Sequence, residues 1–256
     1  MGRRDTKRTR STITTAIAVD RIRKMTDGVV EDVEEALALQ TALEAGNDTI
    51  REIRGSGPPL SFYGAHAYEA IKRGLTISLA LTLAKLFDPA TLYVSRAKNG
   101  RRGSVNKSDI ISIPLLLRLL KQRRCQAFLG REARGWNAAL GHAVNRATAI
   151  SAANAAVAAY ADFRRTQKGR SAARILKTFR NHHLAHRLLD KRAPLPRYRD
   201  LFLLLEVAAR VAEKARLAVT GVSWDVEESG DVWKTHCKAF WGPALKGVIE
   251  GERQRQ

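Results

Sequence analysis

Acidic side chains are scarce in this chain: 25 aspartates and glutamates stand against 45 lysines and arginines, a formal net charge of +20 over 256 residues. Such a surface attracts polyanions, so RNA, DNA and anionic membrane are the candidate partners, with nucleic acid ahead. Cysteine is scarcer still. Cys125 and Cys237 lie in unrelated contexts, with no C-x-x-C or clustered Cys/His spacing. That argues against a structural zinc site and against a disulfide framework, and it suits a reducing, cytoplasmic setting. No run reaches the roughly 20 apolar residues that span a bilayer. The longest candidates, 74–84 and 147–161, are too short or too polar, so no membrane partner is expected. GxxxxGK(S/T), GxGxxG and GxSxG are all missing. P-loop hydrolysis, dinucleotide redox chemistry and α/β-hydrolase chemistry therefore lack their parts, and no cofactor is expected.

Strand runs, internal repeats and low-complexity tracts are also missing. Nearly every segment carries helical periodicity instead. Helices are predicted over 31–53, 61–87, 108–129, 132–167 (bent near Gly141), 171–190 and 197–220, with one more short helix at the C-terminal end. Gly55-Ser-Gly-Pro-Pro59, Asp88-Pro89, Pro194 with Pro196, and Gly221 punctuate them. Ser108-Asp109 is the expected N-cap of the third. The predicted fold is all-α, an antiparallel helical bundle with an N-terminal helical extension. The predicted division is a basic tail and helical lead-in at 1–30, then one helical domain at 31–256; the competing division cuts the chain at the polar loop 95–107. The first ten residues are basic and have no apolar stretch behind them, so they read as a solvated tail rather than a signal peptide.

The region 164–199 concentrates the positive charge, and three of the six histidines, His182, His183 and His186, fall inside it. Cutting RNA without a metal needs one group to deprotonate the 2′-hydroxyl and one to protonate the leaving 5′-oxygen. Histidine does either near neutral pH. A fixed cation must also meet the charge that builds on the phosphate, and arginine offers a forked set of donors for it. At about 100° per residue, Arg180 and His186 stand roughly 120° apart around a helix axis, while His183 and Arg187 share the face of Arg180. His182 and His186 are four apart, a metal-compatible spacing, but the glutamate of HExxH is missing and no third ligand is evident, so no metal is expected. The bland counterpart is the solvated face of a basic amphipathic helix. His66 and His142 are expected to be satisfied, buried or half-buried histidines, and His236 beside Cys237 to be structural. Trp224, Trp233 and Trp241 are expected in the core or in a dimer contact. The loop 96–102 suits RNA guidance and plain solvation equally.

The run Arg180-Asn181-His182-His183-Leu184-Ala185-His186 resembles the RxxxxxH signature of HEPN domains, the higher-eukaryote and prokaryote nucleotide-binding superfamily. It looks most like the Arg-Asn-x-x-Leu-Ala-His run of the abortive-infection AbiU group. The segment ending Leu83-Ala-Lys-Leu-Phe-Asp-Pro89 is similar to that group's second-helix ending. The resemblance implies a helical bundle that forms a homodimer, with two signature helices making one composite cleft. It implies metal-independent RNA cleavage through a 2′,3′-cyclic phosphate, in phage defence or as a toxin paired with an antitoxin protein. Carried over, Arg180 would orient and neutralise the phosphate, His186 would be general acid or base, and Asn181 would support the geometry. His182, His183, Arg187 and Lys177 are the candidate substrate contacts, the roles of His182 and His183 being open. A non-catalytic HEPN-like module that binds RNA or protein is the alternative, and a DNA-binding helical regulator a weaker third.

Overall fold

The computed structural model describes residues 13–55, 65–89, 110–182 and 196–253, and among these every regular element is helical. Eight α-helices follow one another among the described residues: α1 (Thr15–Arg54), α2 (Ala65–Leu86), α3 (Ile113–Leu120), α4 (Arg123–Glu132), α5 (His142–Arg165), α6 (Gln167–Arg180), α7 (Tyr198–Thr220) and α8 (Val226–Arg253). The chain is all-α, as its periodicity predicts.

The first helix starts well before Glu31. Thr14 caps it by accepting from the Ile17 amide at 3.3 Å, and 40 residues follow without a break. At 1.5 Å per residue that is about 60 Å. Its first half is not a mere lead-in, because Val19, Ile22, Met25 and Val29 are buried in the main core. That core also takes Leu79, Leu83 and Leu86 of α2, most of α3, Leu176 and Phe179 of α6, and the inner face of α7. Alanines line the facing surfaces of α5 (Ala149, Ala152, Ala153, Ala156) and α7 (Ala208, Ala212, Ala215), which pack along each other. Small side chains there let two backbones approach closely.

The far half of α1 supports a second, smaller cluster of Ala45, Tyr68, Trp241 and Leu245. The Trp241 indole donates to the Ala42 carbonyl at 3.0 Å, and Tyr68 meets the Trp241 ring edge-on with centroids 5.7 Å apart. This anchor explains why the C-terminal helix is long rather than short. Asp225 caps it, accepting from the Glu227 and Glu228 amides at 2.9 and 3.0 Å, and it runs through Gly230, Gly242 and Pro243.

Two predicted helices are broken. The one over 108–129 is α3 and α4, separated at Lys121 and an extended Gln122 (ψ 121°). Both residues are ordinary helix formers, so periodicity has no sign of the break; the apolar α3 and the largely polar α4 each pack on the same two helices, α1 and α5. Its expected N-cap, Ser108-Asp109, lies outside the described residues, and Ser112 occupies the cap position instead. The helix over 132–167 begins only at His142, after two 3₁₀ turns at Ala133–Gly135 and Ala138–Leu140. Gly141 sits at φ +77°, a conformation that L side chains rarely adopt. Asn137 caps the preceding turn by accepting from the Ala139 amide at 2.9 Å. Gly221 ends α7 as predicted, at φ +74°.

Candidate active site

Helix α6 carries the signature arginine. Thr166 caps it, accepting from the Gly169 amide at 2.9 Å, and the turn from α5 is tight enough that a Cβ on Gly169 would lie 2.1 Å from the Phe163 carbonyl oxygen. Ala172, Leu176 and Phe179 are buried, while Arg174 and Lys177 face outward. This apolar stripe fixes the rotation of the helix and sends Arg180, at its last turn, along the edge of the core. Asn181 and His182 then continue the chain as a wider, π-type turn. The regular 100° step ends at Arg180, and the residues whose angles were predicted relative to it, His183, His186 and Arg187, lie outside the described residues.

At the same place α2 ends. The Phe87 amide donates to the Leu83 carbonyl at 2.9 Å and the Asp88 amide to that of Lys85 at 3.2 Å. Arg180 Nη1 lies 2.8 Å from Asp88 Oδ2, with the two side chains only 20% and 33% exposed. The Arg180 Nη2 group also reaches Asn181 Oδ1, at a long 3.5 Å. The C-terminal ends of two helices thus meet, each the negative end of a helix dipole. Lys85 in the last turn of α2 and Lys177 and Arg180 in the last turn of α6 supply the matching cations. Lys85 is itself held by Asp32 of α1 at 2.7 Å.

Beside this pair lies a hollow of about 190 Å³, lined by Phe87, Tyr160, Arg164, Leu176, Lys177 and Arg180 among others. Burial pushes the Tyr160 hydroxyl pKa up, with Arg164 pulling weakly the other way, so the phenol is neutral at physiological pH.

Of the predicted site residues, Arg180, Asn181, His182 and Lys177 are described. Arg180 is paired, Asn181 is exposed, His182 is half-buried and Lys177 is on the rim of the hollow. His183, His186 and Arg187 lie outside the described residues. Elsewhere, His66, His142 and His236 are exposed, so the expectation of burial fails for His66 and His142. His142 is nevertheless satisfied, its Nδ1 lying 2.7 Å from the Arg134 carbonyl oxygen. Trp224 and Trp241 are buried but Trp233 is 43% exposed. Among the described residues no group of three or more His, Cys, Asp or Glu could hold a metal ion, and no helix is long and apolar enough to cross a membrane.

Asp88 is the residue that sequence reasoning missed; the prediction treats it only as a helix terminator. A signal was present. A carboxylate just past a helix C-terminus faces the negative end of the dipole and needs a cation nearby.

The family model described as AbiU2, within the HEPN class, matches residues 59–240. No curated protein and no solved structure matches the chain. The matched region contains both ends of the Arg180–Asp88 pair and the hollow beside it, and it extends over more than half of the sequence: the chain belongs to the AbiU2 family of HEPN proteins.

Proposed function

We propose that the protein is a metal-independent endoribonuclease that cleaves RNA through a 2′,3′-cyclic phosphate, acting in phage defence or as the toxin of a toxin–antitoxin pair. The observation that carries this reading is the placement of Arg180. Its guanidinium is held from one side by Asp88, at the edge of a basic hollow. A guanidinium has five donors, so the pairing leaves some for a phosphate while holding the plane of the group. In this reading Arg180 neutralises the non-bridging oxygens, His186 transfers the proton as general acid or base, and Asn181 supports Arg180. Lys177, His182, His183 and Arg187 contact the substrate. A second subunit contributes the same set, so one composite cleft serves a homodimer in the cytoplasm.

The test is incubation of bulk RNA with the purified protein in excess EDTA, followed by analysis of the new ends. Cleavage with 2′,3′-cyclic phosphate termini supports the reading; intact RNA refutes it.

A non-catalytic module that binds RNA or a protein is the second reading. It is favoured by the same ion pair, because a carboxylate in contact with Arg180 competes with a phosphate for it. It requires salt-sensitive RNA binding with the RNA recovered whole.

A further inference from the structure

The hollow beside Arg180 joins aromatic walls to a cationic rim. Its walls are aromatic: Phe87 and Tyr160 stand 6.2 Å apart, centroid to centroid, with planes inclined by 32°. Phe163, buried behind them, lies 5.8 Å from Phe87 and 6.3 Å from Tyr160 and holds both rings in place. Its space is kept open by small residues, Ala84 and Ala173. Its rim is cationic, with Arg164 four residues on from Tyr160 along α5, and Lys177 and Arg180 on α6. No carboxylate is among the described residues that line it. A lipid tail has no use for three cations, and a bare phosphate has no use for aromatic walls. A nucleotide uses both, the ring system against the aromatic faces and the phosphodiester against the guanidinium.

We infer that this hollow between the end of α2 and the α5–α6 pair is a nucleobase subsite. It receives the base of the nucleotide whose phosphate rests on Arg180. Tyr160 and Phe87 contact the face of the base, and Arg164 and Lys177 track the backbone on either side. Reading a base in this way needs an unpaired strand, because base faces are covered inside a duplex. The inference deepens the ribonuclease reading and shares its orientation of the RNA, but it makes a claim about binding that stands apart from catalysis.

A scan of abasic positions tests it. The probe is a short single-stranded RNA, fully 2′-O-methylated so that it cannot be cut, with a single abasic residue moved along its length. Affinity is measured by fluorescence anisotropy. For the native protein, one position is expected to cost about tenfold in Kd when its base is removed. Tyr160→Ala is expected to weaken binding of the intact oligonucleotide by a similar factor, yet to add less than about twofold on the abasic one, since both changes remove the same contact. Tyr160→Phe is expected to restore most of the affinity. Indifference to base removal at every position, fully additive losses, or failure of the intact oligonucleotide to bind overturns the inference. The abasic scan on the native protein needs no variant to fold. Base dependence without cleavage of unmodified RNA leaves the subsite standing and removes the catalytic reading; cleavage without base dependence does the reverse.

Discussion

The Arg180 guanidinium at the end of α6 and the Asp88 carboxylate at the end of α2 lie 2.8 Å apart, although 92 positions separate them in the chain. Each belongs to one of the two segments whose wording resembles the AbiU group. The described parts of the two stretches therefore meet. The carboxylate fixes the guanidinium at the place where the two helices end.

Asp88→Ala is expected to lower stability by about 1–2 kcal/mol, because it leaves a largely covered cation without its partner. Urea denaturation of Asp88→Ala, Arg180→Ala and the double variant closes a thermodynamic cycle. A coupling of about 1 kcal/mol that shrinks at high salt is the expected result. Strict additivity would mean that the pair does not form in solution.

The corner between α5 and α6 admits only glycine at position 169, since a Cβ would meet the Phe163 carbonyl oxygen at 2.1 Å. That atom is backbone and cannot turn aside. Gly169→Ala is expected to destabilise the protein by about 1–3 kcal/mol, against the gain that alanine normally brings to a helix. A thermal midpoint equal to or above that of the parent would contradict this account of the corner.

Burial, aided by the neighbouring Glu69, pushes the Tyr68 pKa from 10.0 up to about 12. The unfolded chain thus releases this proton before the folded one does. The contribution to stability is full below pH 10 and is lost as pH rises toward 12. Urea midpoints followed through this window should fall for the parent and fall less steeply for Tyr68→Phe, which also forgoes the 3.0 Å hydrogen bond to Asn47 Oδ1. Parallel curves would show that Tyr68 does not titrate in this way.

How much of this was legible beforehand varies by element. The leucines of α2 and α7 recur at helical spacing and the stop at Gly221 is explicit, so both helices read directly. Residues 15–30 did not read as core. Their apolar positions are interleaved with Asp20, Arg21, Arg23 and Lys24, and their role depends on packing against distant helices. The division of α3 from α4 has the same origin: nothing local at Lys121-Gln122 demands it. For the site, the basic run and Arg180 were visible as composition and spacing. The contacts that give them a geometry were not, because Asp88, Phe87 and Tyr160 come from other helices. Nor does the AbiU2 match include α1, which lies wholly before residue 59 yet contributes to both hydrophobic clusters.

In the proposed function Arg180 and His186 together cleave RNA without a metal. The most direct measurement is the initial rate of cleavage of a labelled single-stranded RNA in excess EDTA, for the parent, Arg180→Ala and His186→Ala, with helicity checked by circular dichroism. Cleavage by the parent and a loss of at least about 100-fold in each folded variant are expected. Parental rates in either variant, or a parent that is inactive until a divalent metal is restored, would contradict it.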